Sequence, residues 1–170
     1  GLSYLHELAE RRQLVNQVFL GGACDPTTWR KDVAIPALEA AGVGYYNPQV
    51  ADWSPELMAI ETQAKTTSFM LLFVFDSVTR ALATLNEAYE FIGEGKQKVV
   101  LVNRYVPADL VVAGQDLNAA EAMDINIARA ELIGYAKARG VPVFESIAHA
   151  VLACIATCQA AAQNYLVGAA

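Results

Sequence analysis

The feature that most limits what this chain can fold into is an alternation repeated five times, a short apolar run followed by a stretch with helical periodicity. VFLGG at 18–22 leads into DPTTWRKDVAIPALEAAG, and VGYYNPQ at 43–49 precedes a helical stretch at 55–66. SFMLLFVFD at 68–76 precedes 80–94, KVVLVN at 98–103 precedes 116–139, and VPVFES at 141–146 precedes 147–160. Three of the five runs are continuously apolar, the pattern of a strand covered on both faces. Strands alternating with helices imply a parallel sheet joined by right-handed crossovers. The expected fold is therefore α/β, a doubly wound five-stranded parallel sheet of flavodoxin-like or Rossmann-like layout.

The same reading assigns the rest of the chain. Leu2, Leu5, Leu8 and Leu14 fall among charges at helical spacing, so residues 1–15 read as an accessory N-terminal helix. Asp25 or Thr27 is placed to cap the first crossover helix, Pro36 to kink it, and Gly42 to end it. The segment 103–115 is a loop longer than connectivity requires, and the Ala-rich end at 160–170 is expected to fray. A length of 170 residues suits one domain with its core at 17–160.

Composition then removes several functions. With 55 % hydrophobic and 18 % charged residues the chain lies far from the disordered class. Its net charge of −6, with no face gathering Lys and Arg, argues against a nucleic-acid polymer as partner. No apolar run reaches the roughly 18 residues of a membrane span, and GLSYLHELAERRQ is too charged for a signal peptide, so no membrane is expected and the reading is cytoplasmic. Cys24, Cys154 and Cys158 form no CxxC pair and have two histidines for company, which argues against a metal site; Cys154 and Cys158, one helical turn apart, read as buried thiols.

Ligands of open α/β sheets sit beyond the carboxyl ends of the strands, where helix N-termini present free N–H groups. Four loops lie there: GGACDPTTW at 21–29, NPQVADW at 47–53, DSVTR at 76–80 and NRYVP at 103–107. From them come the candidate binding residues Gly21, Gly22, Cys24, Asp25, Trp29, Gln49, Asp52, Trp53, Asp76 and Arg80. Neither G-x-G-x-x-G nor G-x-x-x-x-G-K-[ST] occurs, which removes dinucleotide and P-loop readings. Asp76 sits where a receiver domain carries its phosphorylatable Asp, yet the acidic pair and the Lys such a domain needs are replaced by Gly-Gly-Ala-Cys and Glu-Ser. In the helix at 80–94, Leu82, Leu85, Tyr89 and Ile92 form the expected inward stripe, leaving Glu87 about two turns in, between the small Ala83 and Ala88.

Taken together, VFLGGACDPTTWRKD, YYNPQVADW, LLFVFD and LNEAYEFIGEGKQKVVLV resemble the nucleoside 2-deoxyribosyltransferase-like family, over roughly residues 17–155. The most specific part is Glu87, then Tyr89, then Gly95 and Lys96 just ahead of Val99–Val102. The resemblance implies that Glu87 attacks C1′ of a deoxyribonucleoside, that the base departs, and that a second base takes the sugar from the covalent ester, as in a retaining glycosidase. It implies an assisting carboxylate, matched by Glu61, and an amide on the base edge, matched by Gln49. It implies no metal or organic cofactor, and a dimer or larger homo-oligomer in which DINIAR at 124–129, notably Asn126, completes a neighbour's site.

One departure stands out, since six residues before Glu87, where the family often has an acidic residue for the sugar, this chain has Ala81 beside Arg80. Arg80 suits either a 5′-phosphate, with hydrolysis by water, or a pairing with Asp76. The expected ligands are thus a nucleoside or nucleotide and a nucleobase. The alternatives are an N-glycoside hydrolase, a non-catalytic ligand-binding module of the same fold, and a structural subunit.

Overall fold

The computed structural model describes residues 17–52, 54–112 and 114–168. In chain order the elements are β1 (Val18–Gly22), α1 (a π-helical turn Arg30–Ala34 continuing as α-helix Ile35–Ala40), β2 (Tyr45–Tyr46), α2 (Pro55–Thr67) and β3 (Met70–Phe75). Then follow α3 (Leu82–Glu94), β4 (Lys98–Asn103), β5 (Val111–Val112), β6 (Gln115–Asp116), α4 (Ala119–Ala138), β7 (Val143–Phe144) and α5 (Ile147–Gly168). The expected helix at 2–15 lies outside the described residues.

Five strands form one parallel sheet in the order β2-β1-β3-β4-β7, the flavodoxin-like arrangement expected. The period-2 geometry of a strand explains the continuous apolar runs. Val18, Leu20, Leu72, Val74, Val100 and Val102 face α1 and α5, against Leu38, Ile147 and Cys154. Phe19, Leu71, Phe73, Phe75, Val99 and Leu101 face the other way, against Ala64, Ala88, Phe91 and Leu132 of α2, α3 and α4. Cys154 and Cys158 are both buried, as expected, and burial pushes their thiols up to about 12 and about 11.

Both glycines ending β1 are required by packing. A Cβ on Gly21 would lie 2.4 Å from the Phe73 ring, and one on Gly22, at φ +142°, would lie 2.8 Å from the Val74 carbonyl.

Four local expectations are corrected. Neither Asp25 nor Thr27 caps α1: no side chain caps its start, and the Thr27 hydroxyl instead donates to the carbonyls of Ala23 and Cys24. The helix enters through a π turn, with Ile35 N–H bonded to the Arg30 carbonyl, ahead of Pro36, which has no N–H to donate. The inward face of α3 buries Thr84, Ala88, Phe91 and Ile92 with Leu85 and Tyr89 packed beside them, so the expected stripe stands except at Leu82, which is 55 % exposed. This helix starts at Leu82 because Ala81 before it is left-handed, at φ 52°. The segment 103–115 is not a bare loop, since β5 and β6 pair across Gly114 as an antiparallel hairpin whose neighbours Val106 and Leu117 pack on Ala122 and Ile125. Finally, α5 continues through the Ala-rich tail to Gly168, consistent with alanine's standing as the best helix former.

Candidate functional site

β1 and β3 are neighbours whose following connections leave in opposite directions, to β2 and to β4. Their carboxyl ends therefore form the switch point of the sheet. Arg30, fully buried, shapes the β1 side. Its guanidinium donates to the carbonyls of Leu20 (2.9 Å), Ala23 (3.1 Å) and Gly22 (2.8 Å) and lies 4.5 Å from the Trp29 ring centroid. Arg129 of α4, 1 % exposed, does the same for β3 and β4, donating to the carbonyls of Asp76 (2.6 Å), Thr79 (2.8 Å) and Arg104. Burial pulls both guanidinium pKa values down.

Between α2 and α3 three charged side chains meet. Lys65 Nζ donates to Glu87 Oε1 at 2.6 Å and lies 3.5 Å from Glu61 Oε1, one turn back on α2. Lys65 is 8 % exposed, whereas the two glutamate side chains are each 28 % exposed, so the ammonium is covered and the carboxylates reach solvent. Beneath them the Phe19 and Tyr46 rings stack at 5.6 Å, and Lys65 Nζ lies 5.7 Å from the Phe19 centroid. Burial first, then Glu61, raises the Tyr46 hydroxyl, with Lys65 opposing. The half-buried Cys24 thiol is raised chiefly by burial; Arg30 opposes this, and Glu61, Asp25 and Glu87 add to it. Cys24, Tyr46, Glu61, Lys65 and Glu87 thus occupy one neighbourhood, drawn from β1, β2, α2 and α3.

The remaining candidates are distributed differently. Gln49 donates from Nε2 to the carbonyls of Cys24 (2.7 Å) and Thr27 (3.0 Å), tying the loop after β2 to the loop after β1 with its donor end. Asp76, 6 % exposed, accepts from Val78 N–H and the Thr79 hydroxyl. The pairing of Arg80 with Asp76 is corrected, since Arg80 faces Glu121 of α4 at 4.0 Å. Asn126 exchanges two hydrogen bonds with the backbone of Val106. Asp25 and Asp52 are exposed, and Trp53 lies outside the described residues. Trp29, 6 % exposed, lines a groove of about 410 Å³ with Asp32, Asp76, Arg104 and Ser146, on the α1 and α5 side of the sheet.

Sequence reasoning missed Lys65, Arg30, Arg129 and Tyr46. Only Lys65 carried a local signal, the i,i+4 spacing from Glu61 that brings opposite charges together on a helix.

A doubly wound parallel sheet with two partly exposed carboxylates sharing one lysine between α2 and α3 defines an α/β protein with a candidate polar site on that side of the sheet. The family model described as nucleoside 2-deoxyribosyltransferase like matches residues 15–105, more than half of the chain, and the protein belongs to that family. No curated protein matches the sequence significantly. The matched span holds β1 to β4, together with Glu61, Lys65 and Glu87. Among the described residues no helix is long and apolar enough to cross a membrane.

Proposed function

We propose that the protein is an N-glycosyl transferase acting on 2-deoxynucleosides, with Glu87 as the nucleophile. The observation that carries this reading is the setting of Glu87. It lies within the span that the family model matches, its carboxylate sharing Lys65 with Glu61 and its Oε1 engaged by that lysine. The second oxygen, Oε2, attacks C1′ of the sugar. The C1′–N bond breaks, its electron pair leaves with the base, and the base takes a proton from water. An acceptor base then attacks C1′ through a ring nitrogen, that nitrogen's proton passes to water, and the ester C1′–O pair returns to Glu87, two inversions giving retention. Water in place of the acceptor base makes the same site a hydrolase, and an Arg80 freed from Glu121 would suit a 5′-monophosphate.

The test is a panel of 2′-deoxynucleosides and their 5′-monophosphates, with and without a second base, followed by chromatography for free and exchanged base. Base release that disappears in Glu87→Ala, with the circular dichroism spectrum unchanged, supports the reading; a mutant rate equal to wild type defeats it. A second reading, a ligand-binding module without turnover, draws support from Ala81, which is buried and whose methyl group offers a sugar hydroxyl no hydrogen bond. Tight nucleotide binding with no base release would favour it. A homo-oligomer belongs to the same proposal, with Met123 and Ile127 of α4, 62 % and 47 % exposed, as its candidate surface; light scattering reads the mass.

A further inference from the structure

Resting on that reading, we infer that Lys65 is a positioning residue that changes partner during the reaction, held by Glu87 while Glu87 is the free nucleophile and by Glu61 once Glu87 is an ester. In this scheme Glu61 acts as the counter-charge for Lys65 and not as an acid or base toward the departing nucleobase.

The inference starts from a surplus of charge. One covered ammonium faces two carboxylates, Glu87 at 2.6 Å and Glu61 at 3.5 Å. The other groups around it are the Phe19 ring on β1 and the Tyr46 phenol on β2, neither of which carries a formal charge to offer. One carboxylate would neutralise the ammonium, and the second has a use only when the first is consumed. That happens in the glycosyl step. A Glu87 oxygen forms a bond to C1′, the C1′–N pair departs with the base, the base takes a proton from water and not from any of these three side chains, and the carboxylate becomes an uncharged ester.

The three side chains then pass from a net charge of −1 to 0, and Lys65 retains Glu61. Without Glu61 the same step would run from 0 to +1 and strand a buried ammonium, which a protein interior tolerates poorly. The geometry suits this exchange. The 3.5 Å separation from Glu61 is an ion pair that a small rotamer change converts into a hydrogen bond, and the Glu61 side chain, 28 % exposed, has room to make it. When the acceptor regenerates the Glu87 carboxylate, the ammonium returns.

The experiment uses the full chain and whichever deoxynucleoside of the panel gives the fastest base release. Two quantities are followed, the first-turnover burst of free base and the deoxyribosyl mass increment on the peptide that contains Glu87. Glu61→Gln is expected to lower both by about tenfold or more, with KM unchanged, because the charge is stranded only after the bond to C1′ has formed. Glu61→Asp, which keeps the charge, is expected to restore most of the burst. Adding Lys65→Met to Glu61→Gln is expected to raise the burst above that of Glu61→Gln alone, since the stranded cation is gone. A purely structural Lys65 would not give that rescue.

An adduct and burst in Glu61→Gln equal to wild type, or a double mutant as slow as the product of the single effects, overturns the inference while leaving the function standing. If wild-type protein releases no base from any member of the panel, the proposed function falls and this inference falls with it. Urea midpoints of all variants separate lost turnover from lost folding.

Discussion

Two acidic neighbourhoods lie close together in this molecule, and they are built on opposite plans. Asp76, at the end of β3, is 6 % exposed, with one oxygen on Val78 N–H and the other on the Thr79 hydroxyl. Glu61 and Glu87 are each 28 % exposed, share one lysine, and keep oxygens free toward solvent. The difference teaches how to tell a carboxylate that shapes a loop from one that can meet a substrate. In the first, the lone pairs are satisfied by its own turn; in the second, a single cation leaves most of them available.

The contrast can be broken from either side. The largest effect is expected at Glu87→Gln, where base release should fall at least about 1000-fold, equivalent to about 4 kcal/mol of transition-state stabilisation. Its urea midpoint should stay close to wild type, because Lys65 keeps Glu61. Next comes Arg129→Met, which leaves the carbonyls of Asp76, Thr79 and Arg104 without their donor. This variant should lose on the order of 3 kcal/mol or more in chemical denaturation. Asp76→Ala removes the acceptor of one backbone N–H and one hydroxyl and should cost about 2 kcal/mol by the same measurement. A stability loss at Glu87 larger than that at Asp76 would reverse the two assignments.

The smallest effect uses Cys24 as a reporter. Its thiol is raised first by burial, with Glu61 and Glu87 among the charges that add to the shift, so removing either charge lowers the pKa and enlarges the thiolate fraction at a fixed pH near 8. Reaction with a disulfide reagent should therefore quicken up to about twofold in Glu61→Gln and less in Glu87→Gln, while Asp76→Asn leaves it unchanged. The sign is the informative part. A slower reaction in either glutamine variant would mean that these carboxylates do not face the thiol.

How much of this was legible before the structure depends on how local each signal is. The sheet was readable because β3 and β4 are apolar on both faces, and that doubling has no other economical explanation. The edge strands β2 and β7 are two residues each, so little of their expected length was realised. The hairpin of β5 and β6 escaped because two-residue strands are too short to show alternation. Glu87 was reachable through its motif spacing. Lys65 offered only its i,i+4 spacing from Glu61, and Arg30 and Arg129 offered nothing, since long cations are ordinarily exposed and a one-dimensional pattern does not report which of them will be covered. On the inward face of α3 only Leu82 departs from the expected stripe, because the helix begins there and its first side chain projects to solvent, while the small Thr84 and Ala88 that complete the buried face carry too little hydrophobicity to show in the pattern.

The missing side chain at Gly21 reaches further than its own position. The Phe73 ring fills the space where a Cβ would stand, Phe73 packs on Phe91 with centroids 6.4 Å apart, and Phe91 sits one turn below Glu87 on α3. Added bulk at residue 21 displaces Phe73 and presses along that aromatic pair toward the turn of α3 that carries Glu87. Sequence drift is therefore constrained at a residue that contributes no functional group at all.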